Sequence, residues 1–271
     1  REEVILTSAI AVASRGTVEQ TADDVKISFL TMEITSASST GSGVTEAAAY
    51  FPTTALANAV LSDVICQSET TGVRSMRTNT EYAGTYTRVT GGDQSFAGSG
   101  DASGTFTDCV GGSYSFGYAY WALGAGSGTF IRCVGGSNSF GGDGSPASGT
   151  FIDCSITGNG DGFGNGISSV SGTFLRCTAG RIASYANITA TASFTDCNST
   201  NGSTAAFGSG SVDAGAVFIR CLGARTHMNV GTTRDCLDAS NNRIDNSVPD
   251  STITVERGTT DILSAANLRT A

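Results

Sequence analysis

The most regular feature of the chain is a six-residue pattern in which a small residue, an aromatic residue and a cysteine recur. Its clearest copies read Gly-Thr-Phe-x-x-Cys, as from Gly104 to Cys109. Some copies are looser, one lacks the aromatic residue, and the first has valine in place of cysteine. The slot residues, defined as those in the last position of each copy, are Val89, Cys109, Cys133, Cys154, Cys177, Cys197, Cys221 and Cys236.

The spacing of the slot residues indicates stacked coils. Alternate slots are 44 residues apart, at positions 89, 133, 177 and 221, with one further copy inside each interval. The repeat is therefore a double unit of two coils, each of about 22 residues. Because crossovers between parallel strands are nearly always right-handed, we predict an all-β, right-handed parallel β-helix of about 9–12 coils.

Two other repeat architectures have similar periods. Leucine-rich repeats need a ladder of leucines that this chain lacks, whereas a propeller blade needs about 40–45 residues, close to the double unit. The two halves of the unit carry the same motif, which favours two equivalent coils over one blade. A bend between the aromatic residue and the slot residue would turn both side chains inward, so we predict that the slot residues form one core column.

The residue before each slot alternates in sign from coil to coil. These positions, which we call the charged stripe, are Arg88, Asp108, Arg132, Asp153, Arg176, Asp196, Arg220 and Asp235. Equivalent residues of neighbouring coils lie about 4.8 Å apart, so opposite charges attract there and like charges repel. The alternation favours one register, because a slip by one coil would bring like charges together.

Glycine pairs and a second aromatic residue follow several slots. Gly91-Gly92 precedes Ser95-Phe96, and the next two coils repeat this arrangement. Glycine adopts positive φ readily, so we predict a corner at each pair and a short strand at each Ser-Phe segment.

The ends of the chain depart from the motif. We predict an N-terminal cap with irregular coils, or an attachment region, in residues 1–60, the β-helix in residues 61–240, and a C-terminal strand and tail in residues 241–271. Cys66 is interpreted as marking an early, degraded coil. Apolar alternation changes phase near Phe29, which predicts a bulge or turn. The chain begins with Arg1, not methionine, so we expect a processed chain or a segment of a longer one.

The repeat resembles that of the right-handed parallel β-helix family, in which it often reads apolar-x-x-Asn with the asparagine stacked at a bend. Cysteine takes that position here. The wording from Cys133 to Gly142, followed by residues 148–151, resembles repeats of phage fibre and tailspike-type proteins. The resemblance covers roughly residues 61–240 and implies a fold more than an activity.

Composition narrows the function classes. The net charge is −9, with a single lysine and no basic cluster, so nucleic acid is not an expected partner. No apolar run approaches the ~18 residues that a membrane span needs. The eight cysteines contain no Cys-x-x-Cys motif, and stacking in register disfavours disulfide geometry. We therefore expect mostly reduced, buried thiols, no metal site and no cofactor, as suits assembly in a reducing cytoplasm.

Carboxylates and aromatic residues are the candidate functional groups. Many β-helices cleave polysaccharides with paired carboxylates, but each aspartate of the charged stripe is flanked by arginines, which makes a poor general acid. We expect no catalytic residue. Tyr118, Tyr120 and Trp121 form an aromatic cluster that could contact sugar rings.

The favoured function is a structural or receptor-contacting β-helical fibre or spike protein of a phage particle, located in the virion after assembly in the host cytoplasm. The expected partners are further copies of the chain, with a trimer as one form, other virion proteins and a cell-surface glycan. One alternative is a tailspike-like enzyme that degrades polysaccharide by glycosidase or lyase chemistry. Another is a bacterial surface adhesin, located outside the cell.

Overall fold

The computed structural model describes most of the repeat region and parts of both ends. The described residues are 4–10, 16–19, 26–37, 47–51, 59–68, 74–78, 81–96, 101–117, 125–141, 144–158, 160–164, 169–183, 186–201, 207, 211–223, 230–238, 241, 243–244, 255–257 and 261–263. Within these ranges the chain is all-β, with no helix. The strands are numbered in chain order.

One long sheet runs through the molecule and takes a single strand from each coil. Its strands are β1 (Val4–Ile10), β3 (Lys26–Ala37), β5 (Val60–Ser68), β7 (Thr85–Thr90), β8 (Thr105–Thr107), β9 (Thr129–Ile131), β11 (Thr150–Ile152), β15 (Thr173–Leu175), β19 (Ser193–Thr195), β21 (Val217–Ile219) and β23 (Thr232–Arg234). All neighbours in this sheet pair in parallel.

A second sheet follows the slot residues. It contains β10 (Val134–Gly135), β12 (Ser155–Ile156), β16 (Thr178–Ala179), β20 (Asn198–Ser199), β22 (Leu222–Gly223), β24 (Cys236–Asp238) and β25 (Arg243–Ile244). Its strands are parallel except the last, because β25 turns back and pairs antiparallel with β24.

Four smaller sheets complete the described strands. They are β2 (Gly16–Glu19) with β4 (Ala47–Phe51) and β6 (Arg74–Thr78), β13 (Asp161–Gly162) with β17 (Arg181–Ile182), β14 (Ser169–Val170) with β18 (Asn187–Ile188), and β26 (Val255–Arg257) with β27 (Asp261–Leu263). These sheets form a parallel β-solenoid in which each coil contains about 22 residues, which confirms the predicted fold class.

The coils stack in strict register because equivalent side chains pack on one another. Thr105, Thr129 and Thr150 pair directly in successive coils, as do the aromatic residues that follow them. The first aromatic column contains Tyr86, Phe106, Phe130, Phe151, Phe174, Phe194 and Phe218. Its neighbouring rings are stacked at 4.6–5.1 Å with interplanar angles of 2–9°.

A second aromatic column packs against the first within the core. Phe96, Phe116, Phe140 and Phe163 stack at 4.7–5.0 Å and meet the first column edge to face at 5.5–5.8 Å. Both offset stacking and edge-to-face packing are favourable ring geometries, each contributing roughly 0.5–1.5 kcal/mol beyond burial. If one coil slipped past the next, each ring would still stack on an equivalent aromatic ring. The rings therefore stabilise the stacking of coils but do not determine which coil lies next to which.

The glycine pairs serve a purpose other than the one predicted. They do not adopt positive φ; the left-handed residues of these corners are Gln94, Phe96, Tyr114, Phe116, Asn138 and Phe140. A Cβ on Gly111 or Gly135 would instead lie 2.5–2.6 Å from the buried serine four residues later. The prediction of positive φ was therefore wrong, because these glycines provide space for a side chain.

The Ser-Phe segments were also predicted as strands, and they form turns. Ser139 makes one isolated bridge to Gly162, while Phe140 itself is left-handed. The predicted turn near Phe29 is confirmed, since Phe29 has a φ of 56° and interrupts the pairing of β3 with β5. The predicted C-terminal strand, residues 251–255, lies outside the described residues except for Val255, which begins the hairpin of β26 and β27.

Candidate functional site

Every residue of the charged stripe has a left-handed backbone. The ten residues that occupy this position in successive coils, with φ of 50–56°, are Phe29, Asp63, Arg88, Asp108, Arg132, Asp153, Arg176, Asp196, Arg220 and Asp235. Left-handed conformation costs roughly 1–2 kcal/mol for a residue with a Cβ, although aspartate tolerates it better than most. The bend turns the aromatic residue and the slot residue inward and the charged residue outward.

The stripe consists of discrete bidentate ion pairs. Arg132 donates from Nε to Oδ1 of Asp108 at 2.6 Å and from Nη2 to Oδ2 at 2.8 Å. The same geometry joins Arg88 to Asp63, Arg176 to Asp153 and Arg220 to Asp196. Among these described residues no ion pair joins Arg88, Arg132 or Arg176 to the aspartate of the following coil. All four pairs therefore point the same way along the solenoid.

Two neighbouring arginines lower the pKa of the carboxyls of Asp108, Asp153 and Asp196. A hydrogen bond from Arg176 lowers the pKa of Asp153, and the charges of Arg176 and Arg132 lower it further. The pKa values of Asp108 and Asp196 are lowered for the same reason. A general acid needs a raised pKa, so these aspartates are suited to ion pairing and not to protonating a leaving group.

The slot cysteines line the inside of the same bend. All eight cysteines of the chain are buried and unbridged. The thiol of Cys133 donates to the carbonyl oxygen of Phe106 at 3.4 Å and lies 3.5 Å from that of Ile131. The other slot cysteines repeat these two contacts, with the first at 3.3–3.4 Å. Each thiol thus bonds to the backbone of the coil before it.

Burial keeps these thiols away from solvent. It raises the pKa values of Cys133, to about 12, and of Cys66, whereas hydrogen bonds with neighbouring thiols outweigh burial and lower the pKa values of Cys154 and Cys197. Because a reagent cannot reach them in the folded chain, these side chains behave as small apolar fillers with a weak donor. In the described part of the chain no cluster of His, Cys, Asp and Glu could hold a metal ion.

The placement of Cys66 corrects the interpretation of the early coils. Val64, not Cys66, lies opposite Val89, and Cys66 pairs with Met32 one coil earlier. Sequence reasoning therefore missed Asp63, which precedes Val64 and forms the first described ion pair of the stripe. The signal was present, because Asp63 continues the alternation of sign, but the slot had been assigned two residues too late.

The loop carboxylates act within the solenoid. Asp93 accepts a hydrogen bond from the backbone of Ser113, and Asp101 accepts one from the backbone of Ala125, one coil later in each case. Asp161 forms a half-buried bidentate pair with Arg181. These carboxylates hold neighbouring coils together instead of converging on a cleft.

The candidate glycan contacts Tyr118, Tyr120 and Trp121 lie outside the described residues. No helix in the described ranges is long and apolar enough to cross a membrane. Comparisons with protein-family models, with curated proteins and with solved structures found no match to this chain. The assignment of the repeat to a parallel β-helix therefore rests on the strand pairing of the structure alone.

Proposed function

We propose that this chain is a structural, receptor-contacting β-helical component of a phage fibre or spike. The observation that carries the proposal is the uninterrupted in-register stack. Eleven parallel strands join the coils, a ring column runs from Tyr86 to Phe218, and ion pairs join alternate pairs of coils, so the stack gives a rod that resists bending. A fibre that holds a tip at a distance from a particle needs this property.

The chemistry of the stripe supports a structural role over polysaccharide cleavage. Asp108, Asp153 and Asp196 are the carboxylates that the coil spacing brings into line, and each is held by two hydrogen bonds from an arginine. The unbridged thiols support folding in a reducing compartment, such as the cytoplasm of an infected cell. The ion-paired aspartates and the unbridged thiols are more typical of a structural protein assembled inside a cell than of a secreted enzyme.

The test locates the chain and assays it. An antibody against the solenoid should label fibres or spikes in electron micrographs of purified particles, and the purified chain should bind host cells. Incubation with the capsule or lipopolysaccharide of the host should release no reducing ends. Labelling absent from every particle would refute the virion role. Sugar release that is lost on replacing Asp153 with Asn would replace the proposal with the glycosidase alternative.

A further inference from the structure

The long sheet presents an uncharged outer face beside the charged stripe. We call it the threonine face: two rows of outward side chains from β7 to β21, in which every residue is exposed or half-buried. The rows are Thr85, Thr105, Thr129, Thr150, Thr173, Ser193 and Val217, and Thr87, Thr107, Ile131, Ile152, Leu175, Thr195 and Ile219. Charged residues are depleted in the cores of protein interfaces, and this face contains none in a chain of net charge −9.

The seven strands that carry the threonine face set the size of the interface. Six steps of about 4.8 Å from β7 to β21 give a length of about 29 Å. Three residue steps from the first row to the stripe, plus side-chain margins, give a width of about 15 Å, and hence an area of about 430 Å². A standard stable interface buries about 800 Å² on each partner, so this face supports a weak, reversible association. A β-face can pack against another of the same shape.

Symmetry and charge select how two such faces could meet. A two-fold axis parallel to the solenoid would place the two stripes on opposite edges of the interface, so their charges would not meet. A two-fold axis along the strand direction keeps both stripes on the same edge, with the solenoids antiparallel. If that axis passes between an arginine coil and an aspartate coil, every arginine faces an aspartate, for example Arg132 against Asp153.

The direction of the observed ion pairs also favours antiparallel solenoids. Each arginine reaches the aspartate of the coil before it, so the pairs form a row of dipoles with one direction. Parallel dipoles lying side by side repel and antiparallel dipoles attract. The arginine side chains remain 50–56 % exposed and the guanidinium has further N–H donors for a second carboxylate. Stripe and face therefore favour the same antiparallel arrangement.

We propose that the threonine face and the charged stripe bind a second copy of this chain, giving an antiparallel two-fold dimer whose axis passes between the coils of Arg132 and Asp153, near the centre of the face. This closed symmetry uses one patch on both subunits. The proposal does not depend on the virion role. It also predicts that an assembly of parallel chains must use a different surface.

The oligomeric state and its response to a charge in the face provide the test. Sedimentation velocity over a range of concentrations should show a reversible dimer that weakens in about 1 M salt, since the stripe is solvent-exposed. Thr150→Glu, in the centre of the face, should raise the dimer Kd by about tenfold or more, because it buries an unpaired charge. Thr178→Glu is the matched control on the second sheet and should leave the Kd unchanged.

A charge exchange tests the register. Asp153→Arg combined with Arg176→Asp leaves opposite charges at positions 153 and 176 but sets Arg132 beside an arginine and Asp196 beside an aspartate within the chain. Across the two-fold axis, however, Arg132 then faces the arginine introduced at position 153, and Asp108 faces the aspartate introduced at position 176. The exchange should also weaken the dimer by about tenfold or more, with circular dichroism used to confirm folding.

A distance measurement completes the test. A spin label on Val230→Cys should lie about 40 Å or more from its symmetry mate, because the antiparallel arrangement sets the two C-terminal ends of the solenoids apart. A monomer at every concentration, equal Kd values for the two Thr variants, or closely spaced labels would overturn the proposal.

Discussion

Arg132 and Asp108 are 24 residues apart in sequence and share two hydrogen bonds across neighbouring coils. Their pairing is repeated at three other places and always runs from an arginine to the aspartate of the coil before it. Because both side chains are accessible to solvent, their contribution to stability is small per pair. Their larger effect is on register, since the alternation of sign distinguishes one coil from the next where the stacked rings do not.

Register control predicts an ordered response to substitutions at Asp153. Asp153→Asn removes the ion pair with Arg176, whereas Asp153→Arg also places three arginines, at 132, 153 and 176, in direct succession. Repulsion is then added to lost attraction. We expect Asp153→Arg to melt about 2–5 °C below Asp153→Asn in low salt, measured by circular dichroism.

Salt is the control for that comparison. The difference between the two melting temperatures should shrink in about 1 M salt, where the Debye length falls to about 3 Å. Equal melting temperatures at low salt would show that the alternation does not hold the coils in register.

The same aspartates predict a loss of stability in acid. The pKa values of Asp108, Asp153 and Asp196 are lowered in the folded chain by their arginines. Their contribution is therefore fully present above the unfolded pKa of about 3.9 and is lost as the pH falls through the folded pKa. Urea midpoints should decline below about pH 4. The triple variant with asparagine at all three positions should show a shallower decline; an unchanged slope would contradict the assignment.

Much of the stack can be inferred from the sequence, because the same residue types recur at equivalent positions of successive coils and stack on one another. The 44-residue double unit and the Gly-Thr-Phe-x-x-Cys motif fix which residues stack, and the parallel register follows directly. The turn at Phe29 could be inferred from the change in apolar alternation, since only a left-handed residue or a bulge moves an alternating pattern to the other face of a strand.

The remaining features depend on backbone conformation, which one sequence reveals poorly. Left-handed φ falls on arginine and aspartate at the stripe, while Gly111 and Gly135 have ordinary φ and are needed for space. Conformational propensity alone would place glycine at the left-handed positions and residues with a Cβ at the positions of ordinary φ. The direction of each ion pair was equally hidden, because alternating signs are compatible with pairing forwards or backwards along the stack.

The core predicts one substitution that stabilises the chain. Tyr86 occupies the first aromatic column, where the following coils have phenylalanine, and it stacks on Phe106 at 4.7 Å. Its hydroxyl is buried and makes no hydrogen bond of good geometry among the described residues, although the backbone of Gly84 lies near enough to offset part of the rise in its pKa that burial causes. Tyr86→Phe should raise the free energy of unfolding by about 1 kcal/mol, measured by urea titration. Phe130→Tyr, which places a hydroxyl in the same column, should lower it; stabilisation by both changes would contradict this reading.

The thiols predict a sharp contrast between native and denatured labelling. All eight cysteines are buried and unbridged, and burial raises the pKa of Cys133 to about 12. A thiol reagent should react slowly with the native chain at neutral pH and should find eight free thiols after denaturation without reductant. Cys154→Val should keep the fold, because valine already occupies the slot at Val89. Detection of no more than a few thiols in the denatured chain would refute the reduced state.

A close approach between the backbones of neighbouring coils gives the last prediction. A Cβ on Gly128 would lie 2.2 Å from the carbonyl oxygen of Gly104, and Gly149 stands in the same relation to Gly128. The obstacle is backbone that also accepts hydrogen bonds from the next coil, so it cannot move without separating the strands. Gly128→Ala should therefore cost about 2–3 kcal/mol in urea unfolding. The matched control is Ala192, which holds the equivalent position after a different turn, and Ala192→Gly should cost about 1 kcal/mol or less. If alanine at 128 proves as harmless as glycine at 192, the coils are not held at the observed spacing by these glycines.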